Sequence, residues 1–349
     1  MMSNSISTLA WTSPARSALP RLQTDISRAS VELSTGTKAD IGLALGAGVG
    51  ESLGLSVARA RIDAQIQSNA FATGILGRAQ TVLGQISDQA NGFLKDLLAG
   101  QSGNANGAIL AAQGRAALAT FTASLNTSDG QRYLFGGINS ARTPMADYAA
   151  GPKAAVDAAF ATAFGLDPAD PQGDPRVGSI AADDMARFLD TTFADLFADP
   201  AWGDSWSAAS SQPLTAGISQ DSRVRISASA NAAPLRQLAM AFTMVGELGT
   251  ASLSDAARKV VMEKATAVLG EAVSGVTALG ADLGVSQQRV TAANAALSQA
   301  ASLTDRRLNT LVGVDPAEAK TRLDTLTTQL QMSYATTARI MQLSIMNYV

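Results

Sequence analysis

Residues 76–97 read Leu-Gly-Arg-Ala-Gln-Thr-Val-Leu-Gly-Gln-Ile-Ser-Asp-Gln-Ala-Asn-Gly-Phe-Leu-Lys-Asp-Leu. Leu76, Ala79, Leu83, Ile86, Ala90, Phe93 and Leu97 recur at alternating spacings of three and four. That period places all seven on one face of an α-helix, whereas a half-buried strand would alternate every second residue. A seam of this kind needs a partner surface. The chain supplies more seams of the same type. Before it, Leu19, Leu22, Ile26, Ala29 and Leu33 form one, with Asp25, Arg28 and Glu32 off the seam. After it come Val261, Ala265, Val268, Ala272, Gly275, Leu279 and Leu283. The pattern resumes with Val290, Ala293, Leu297, Ala300, Thr304, Leu308 and Leu311, and again with Leu323, Leu326 and Leu330.

Local signals bound these helices. Gly36 stops the first. The glycine-rich run 42–50 reads as an irregular connector. A second helix is expected from about Leu53 to Ala99, a turn at Gly100–Asn104, and a third helix over Ala108–Ser128. Long helices return after Pro234. Ser254 is the expected N-cap, with Asp255 in the first turn. A break is expected at Gly284 and a stop at Gly313. Asp315, Pro316 and Glu318 then supply N-cap, first-turn proline and N3 acid for a last helix.

Composition changes between these regions. Seven prolines lie from Tyr133 to Pro213 (Pro144, Pro152, Pro168, Pro171, Pro175, Pro200 and Pro213), together with Trp202 and Trp206. Val224, Ile226 and Ala228 alternate with polar residues and read as a strand, with Leu214–Ile218 as its hairpin partner and 220–222 as the turn. The expected fold is mainly α. Long coiled-coil helices from both termini pack together, with an inserted smaller α+β domain. The expected divisions are 1–137 (N-terminal helical segments), 138–230 (variable inserted domain) and 231–349 (C-terminal helical segments packing on the N-terminal ones).

The 349 residues are 46% hydrophobic but only 5% aromatic. That balance argues against disorder and for long helices with narrow Ala-rich seams. With 26 basic and 29 acidic residues and no basic run, a nucleic-acid partner is not expected. Uninterrupted apolar runs fall short of the roughly 18 residues of a membrane span, so no membrane insertion is expected. Met1–Ser13 lacks the charged and apolar regions of a Sec-type signal. Cysteine and histidine are absent. This removes the thiolate nucleophile and the commonest general base and metal ligand.

The remaining candidate sites are weak. Gly46, Gly48 and Gly50 do not complete a dinucleotide fingerprint, because Glu51 and Leu53 stand where a third glycine is needed. Asp183, Asp184, Asp190, Asp195, Asp199 and Asp204 are mostly spaced like a solvated helix face and unlike a calcium loop. No catalytic, cofactor-binding or metal residue is assigned, and no enzyme is expected. The apolar tail Ala335–Val349, with Leu343, Ile345, Met346, Tyr348 and Val349, is expected to bind a partner.

Three places resemble the bacterial flagellin family, and within it the hook-associated protein 3 type found at the hook–filament junction. Leu33-Ser34-Thr35-Gly36-Thr37-Lys38 is similar to the motif that closes the family's first helix. Tyr133-Leu134-Phe135-Gly136-Gly137 is similar to a motif of the junction type. Arg339–Val349 is similar to the family's apolar C-terminal tail. The resemblance spans about 5–137 and 230–349. It departs at Asp40-Ile41-Gly42-Leu43, where the family usually carries an acidic pair and Ala-Gly-Leu. It implies a structural subunit of the flagellum, secreted by type III export without a cleaved signal. Such a subunit self-associates in a helical or ring assembly beside neighbouring axial proteins, and an export chaperone covers its C-terminal tail. Its terminal segments would be largely disordered when free and fold on assembly. A filament flagellin is the alternative within the family. A cytoplasmic coiled-coil adaptor is the alternative outside it.

Overall fold

The computed structural model describes residues 8–102 and 106–346, with side chains over 18–100 and 106–339. The expected roles of Leu343, Ile345, Met346, Tyr348 and Val349, and of Met1–Ser13, lie outside the described side chains. The chain is mainly helical. Its helices are α1 (Thr8–Thr35), α2 (Ile41–Leu45), α3 (Val49–Ser102), α4 (Gly107–Leu125), α5 (Pro152–Phe164), α6 (Ala182–Asp190), α7 (Thr192–Asp195), α8 (Ala233–Glu247), α9 (Asp255–Val312) and α10 (Pro316–Met346). One hairpin, β1 (Thr215–Gly217) with β2 (Arg223–Arg225), pairs antiparallel with Thr215 opposite Arg225. The chain divides into two compact units: residues 65–295, and 1–64 with 296–349.

Most of the hydrophobic core belongs to residues 65–295. The seven seam residues of 76–97 are all buried, none above 5% exposed. Each large apolar side chain so buried contributes about 1.5–3 kcal/mol. Phe93, Phe242 and Phe121 meet edge to face, with centroids 5.4 and 5.8 Å apart, which ties α3, α8 and α4 together. Helices α4 and α8 touch backbone to backbone: a Cβ on Gly114 would stand 2.7 Å from the Gly246 nitrogen. Small residues make that approach feasible. A chain of ring contacts through Phe160, Phe188, Phe193, Phe197 and Trp206 fills the region after α4.

Within this unit α3 and α9 run antiparallel. Asn69 is fully buried between them and accepts a hydrogen bond from Gln65 at 2.9 Å. Its amide donates to the Asn294 side chain at 2.7 Å and to the Ile218 carbonyl at 3.1 Å. One residue therefore fixes the register of two long helices and anchors the hairpin on them. The hairpin itself is shorter than expected, but the Ile226 N–H to Leu214 carbonyl bond (2.8 Å) continues the pairing. Val224, Ile226 and Ala228 are buried as their alternation requires.

Several boundaries differ from the sequence reading. Residues 41–48 are not irregular. Asp40 caps α2 by accepting from the Leu43 N–H at 2.8 Å, and a 3-10 turn over Gly46–Gly48 leads into α3. Gly284 does not break α9, which runs from Asp255 to Val312. A helical glycine costs only about 1 kcal/mol relative to Ala, and flanking seams outweigh that. Two helices are long and apolar enough, by length and composition, to cross a membrane. Windows within 41–100 and 255–312 reach mean hydropathies of 1.5 and 1.3. Scanning for uninterrupted apolar runs missed them, because small and weakly polar residues dilute the runs without lowering the average much.

Candidate assembly interface

The terminal unit is built on α1 and α10, which pack antiparallel along their lengths. The two seams face each other. Leu19, Leu22, Ile26 and Leu33 of α1 are half-buried and Ala29 is buried, while Leu323, Leu326 and Leu330 of α10 are half-buried. Gln23 donates to the Tyr334 hydroxyl at 3.2 Å, and Arg322 lies 3.7 Å from Glu32. Two helices alone cannot cover both seams fully, and these seams remain partly open.

The Leu33–Lys38 motif closes the pair. Gly36 takes φ +69° and its N–H bonds back to the Glu32 carbonyl at 2.9 Å, the left-handed cap that glycine adopts without strain. Thr37 then bridges Gly313. The Lys38 N–H reaches the Val312 carbonyl at 2.8 Å, and the Val314 N–H reaches the Gly36 carbonyl at 3.0 Å. The Lys38 ammonium also donates to the Leu311 carbonyl at 3.0 Å, a charge suited to a helix C-terminus. At the start of α10, the Asp315 carboxylate accepts from the Ala317 N–H at 2.8 Å. The two helix breaks are thus stapled to each other. The sequence marked each break but not their pairing, which spans more than 270 residues.

Burial in this unit is sparse. Its buried apolar residues, among the described ones, are Ala29, Ala301, Val312 and Ala319, all small or medium. Large apolar side chains face outward instead: Leu43 (74% exposed), Leu53 (63%), Met332 (61%), and Val31, Val57, Leu303 and Tyr334 near half. Exposed apolar surface of this extent marks association. These residues lie off the seams, which mark only the stripe that faces a helix's own partner. Leu53 and Val57, four apart, carried a second stripe that a search for two-sided helices would have found.

Among the described residues no cluster of three or more acidic side chains could hold a metal ion. Asp183, Asp184, Asp190, Asp195, Asp199 and Asp204 are exposed and dispersed. Gly46, Gly48 and Gly50 follow a helix, not a strand, so no phosphate-binding turn forms there.

The Tyr133–Gly137 motif is a strap in the core of the compact middle. Leu134 and Phe135 are buried, and the Phe135 carbonyl accepts from the Ala230 N–H at 2.9 Å. Gly137 has φ +58°, and a Cβ there would lie 2.3 Å from the Ser210 carbonyl. The motif joins the end of α4 to the segment that leads into α8.

The sequence matches the bacterial flagellin N-terminal helical region over residues 6–140 and the bacterial flagellin C-terminal helical region over 266–349. The chain belongs to the bacterial flagellin family. It is a structural subunit of the bacterial flagellum, and members of this family polymerise with other flagellar axial proteins. Among curated proteins none matches this flagellin-family chain in sequence. A solved chain described as a flagellar hook-associated protein from Vibrio parahaemolyticus is similar in fold. Its TM-score is 0.52 at 10% identity, over 76% of this chain and 97% of that one. The two matched family regions contain α1, α3, α10 and α9 from residue 266 onward, helices whose seams and exposed stripes are described above.

Proposed function

We propose that this flagellin-family chain is the hook–filament junction subunit, exported unfolded and assembled through its terminal helices, with no catalytic activity. The exposed apolar surface of the terminal unit carries the assembly part of this reading. Leu43, Leu53 and Met332 are too exposed to stabilise the lone subunit, and burying them against neighbours offsets the entropy lost on ordering. The junction part draws support from the Tyr133–Gly137 strap and from the fold likeness to a chain described as hook-associated. The absence of Cys and His suits passage through a narrow channel as an extended chain, and also suits a purely structural role. An export chaperone covers the C-terminal segment in the cytoplasm.

Immunogold labelling of isolated flagella tests the location. A junction subunit gives one band between hook and filament. Label along the filament would make the chain a filament flagellin instead. Retention of the protein in the cytoplasm would overturn export.

A further inference from the structure

Helix α4, the loop 143–149 and the end of α8 enclose a cleft of about 550 Å³ within the compact middle. Glu247 lines it. The residue is 9% exposed, yet its carboxylate has neither a hydrogen bond nor an ion pair among the described residues. The Tyr148 hydroxyl, on the same cleft, is also buried without a partner. Buried polar groups are nearly always paired, so the orphaned Tyr148 hydroxyl beside an unpaired carboxylate at one cleft calls for an explanation. Arg115 stands on the cleft too. It spends one N–H on the Gly246 carbonyl at 2.9 Å and forms no ion pair, although its charge acts on Glu247. Nearby Lys153 is already committed to Asp157. An unpaired carboxylate and an exposed guanidinium that forms no ion pair therefore line a cavity of ligand size without closing on each other.

We propose that this cleft binds a small dipolar molecule of the α-amino-acid class. Its carboxylate lies on Arg115, and its ammonium lies on Glu247 beside the Tyr148 hydroxyl. A ligand with both charges satisfies both protein groups, whereas a simple cation is repelled by Arg115 and a simple anion by Glu247. The Asp147 carboxylate, also on the lining, already accepts from the Ala149 N–H at 3.0 Å. Leu118 and Met145 supply apolar walls for a short side chain. Burial raises the Glu247 carboxyl above its ordinary range, and an ammonium beside it would reverse that.

The test titrates the full-length protein with L-alanine and L-leucine while following the backbone amide resonances of Tyr148 and Glu247. Ethylamine and propionate, each carrying one of the two charges, serve as comparators. The expected result is saturable shifts with the amino acids and at least about tenfold weaker binding of either comparator. Glu247→Gln and Arg115→Gln, each checked for an unchanged circular dichroism spectrum, are expected to weaken binding at least about tenfold. No shift with either amino acid overturns the proposal. So does equal binding of ethylamine, which would make this a cation site. Self-association that needs Glu247 and ignores amino acids would overturn it as well, by assigning the cleft to a second copy of the chain.

Discussion

At residue scale, single positions decide whether the chain can follow its path. Gly137 combines a left-handed backbone with carbonyls where a side chain would go: Ser210 at 2.3 Å and Gln212 at 2.5 Å from a built Cβ. Gly165 has a similar φ of +62° but open space around it. Gly165→Ala is expected to cost about 1–2 kcal/mol from backbone strain alone. Gly137→Ala adds overpacking of about 1–3 kcal/mol to the same strain. Urea denaturation of both variants checks this, and equal losses would refute the steric part. Glu247 gives a pH signature. Desolvation raises its carboxyl above the unfolded value, with Asp157 adding to the rise and Lys153 and Arg115 opposing it. Its stability contribution is therefore full below the ordinary glutamate range. It is lost as pH rises from that value towards the raised folded one. Glu247→Gln is expected to flatten the fall in melting temperature across that window and to raise stability at neutral pH.

At the scale of elements, the long helices were legible because their seams are periodic. Leu76 to Leu97 is buried residue for residue, and Ser254, Gly313 and Asp315 act as the expected stops and starts. The connector 41–48 was not legible, because a five-residue helix has no room for a period and Asp40 had to be read as a cap. Nor was the cleft at Glu247. It forms where the end of α8 meets α4 and the loop 143–149, far earlier in the sequence, and no local motif records that. The Asn69 node was hidden for a related reason: one polar residue inside an apolar pattern looks like an interruption until its partners are known. Asn69→Ala leaves the Ile218 carbonyl and the Asn294 side chain without their donor. Each buried unsatisfied group costs about 1–3 kcal/mol. The expected loss is therefore larger than for an exposed Asn→Ala, and thermal unfolding measures it. A loss under about 0.5 kcal/mol, the range of ordinary surface changes, would show that the node does not set the register.

For the whole molecule, the two units differ in what holds them. Residues 65–295 contain nearly all the large buried side chains, whereas the terminal unit buries mainly alanines. Local stability follows that difference. Limited proteolysis of the free subunit is expected to remove the terminal unit first and to leave a resistant fragment near 65–295. A full-length resistant monomer would mean that α1 and α10 are self-sufficient. The resemblance to flagellins implies terminal segments that order on assembly. The inserted region is also less separable than its composition suggests. The Phe135 carbonyl and the Trp206 ring belong to the same core as the flanking helices. Replacing 138–230 wholesale would remove Trp206 and the other buried rings of that segment from the shared core.

The central claim is that the outward apolar surface of the terminal unit is an assembly contact. The most direct measurement is incorporation into flagella of the Leu53→Asp, Met332→Asp double variant. Both residues are more than 60% exposed, so the lone subunit should keep its circular dichroism and melting temperature within the small range of surface substitutions. In the assembly each would place an unpaired charge in a buried apolar contact. The account predicts a folded, exported subunit that is absent from isolated flagella. Incorporation at the level of the unaltered chain would contradict it.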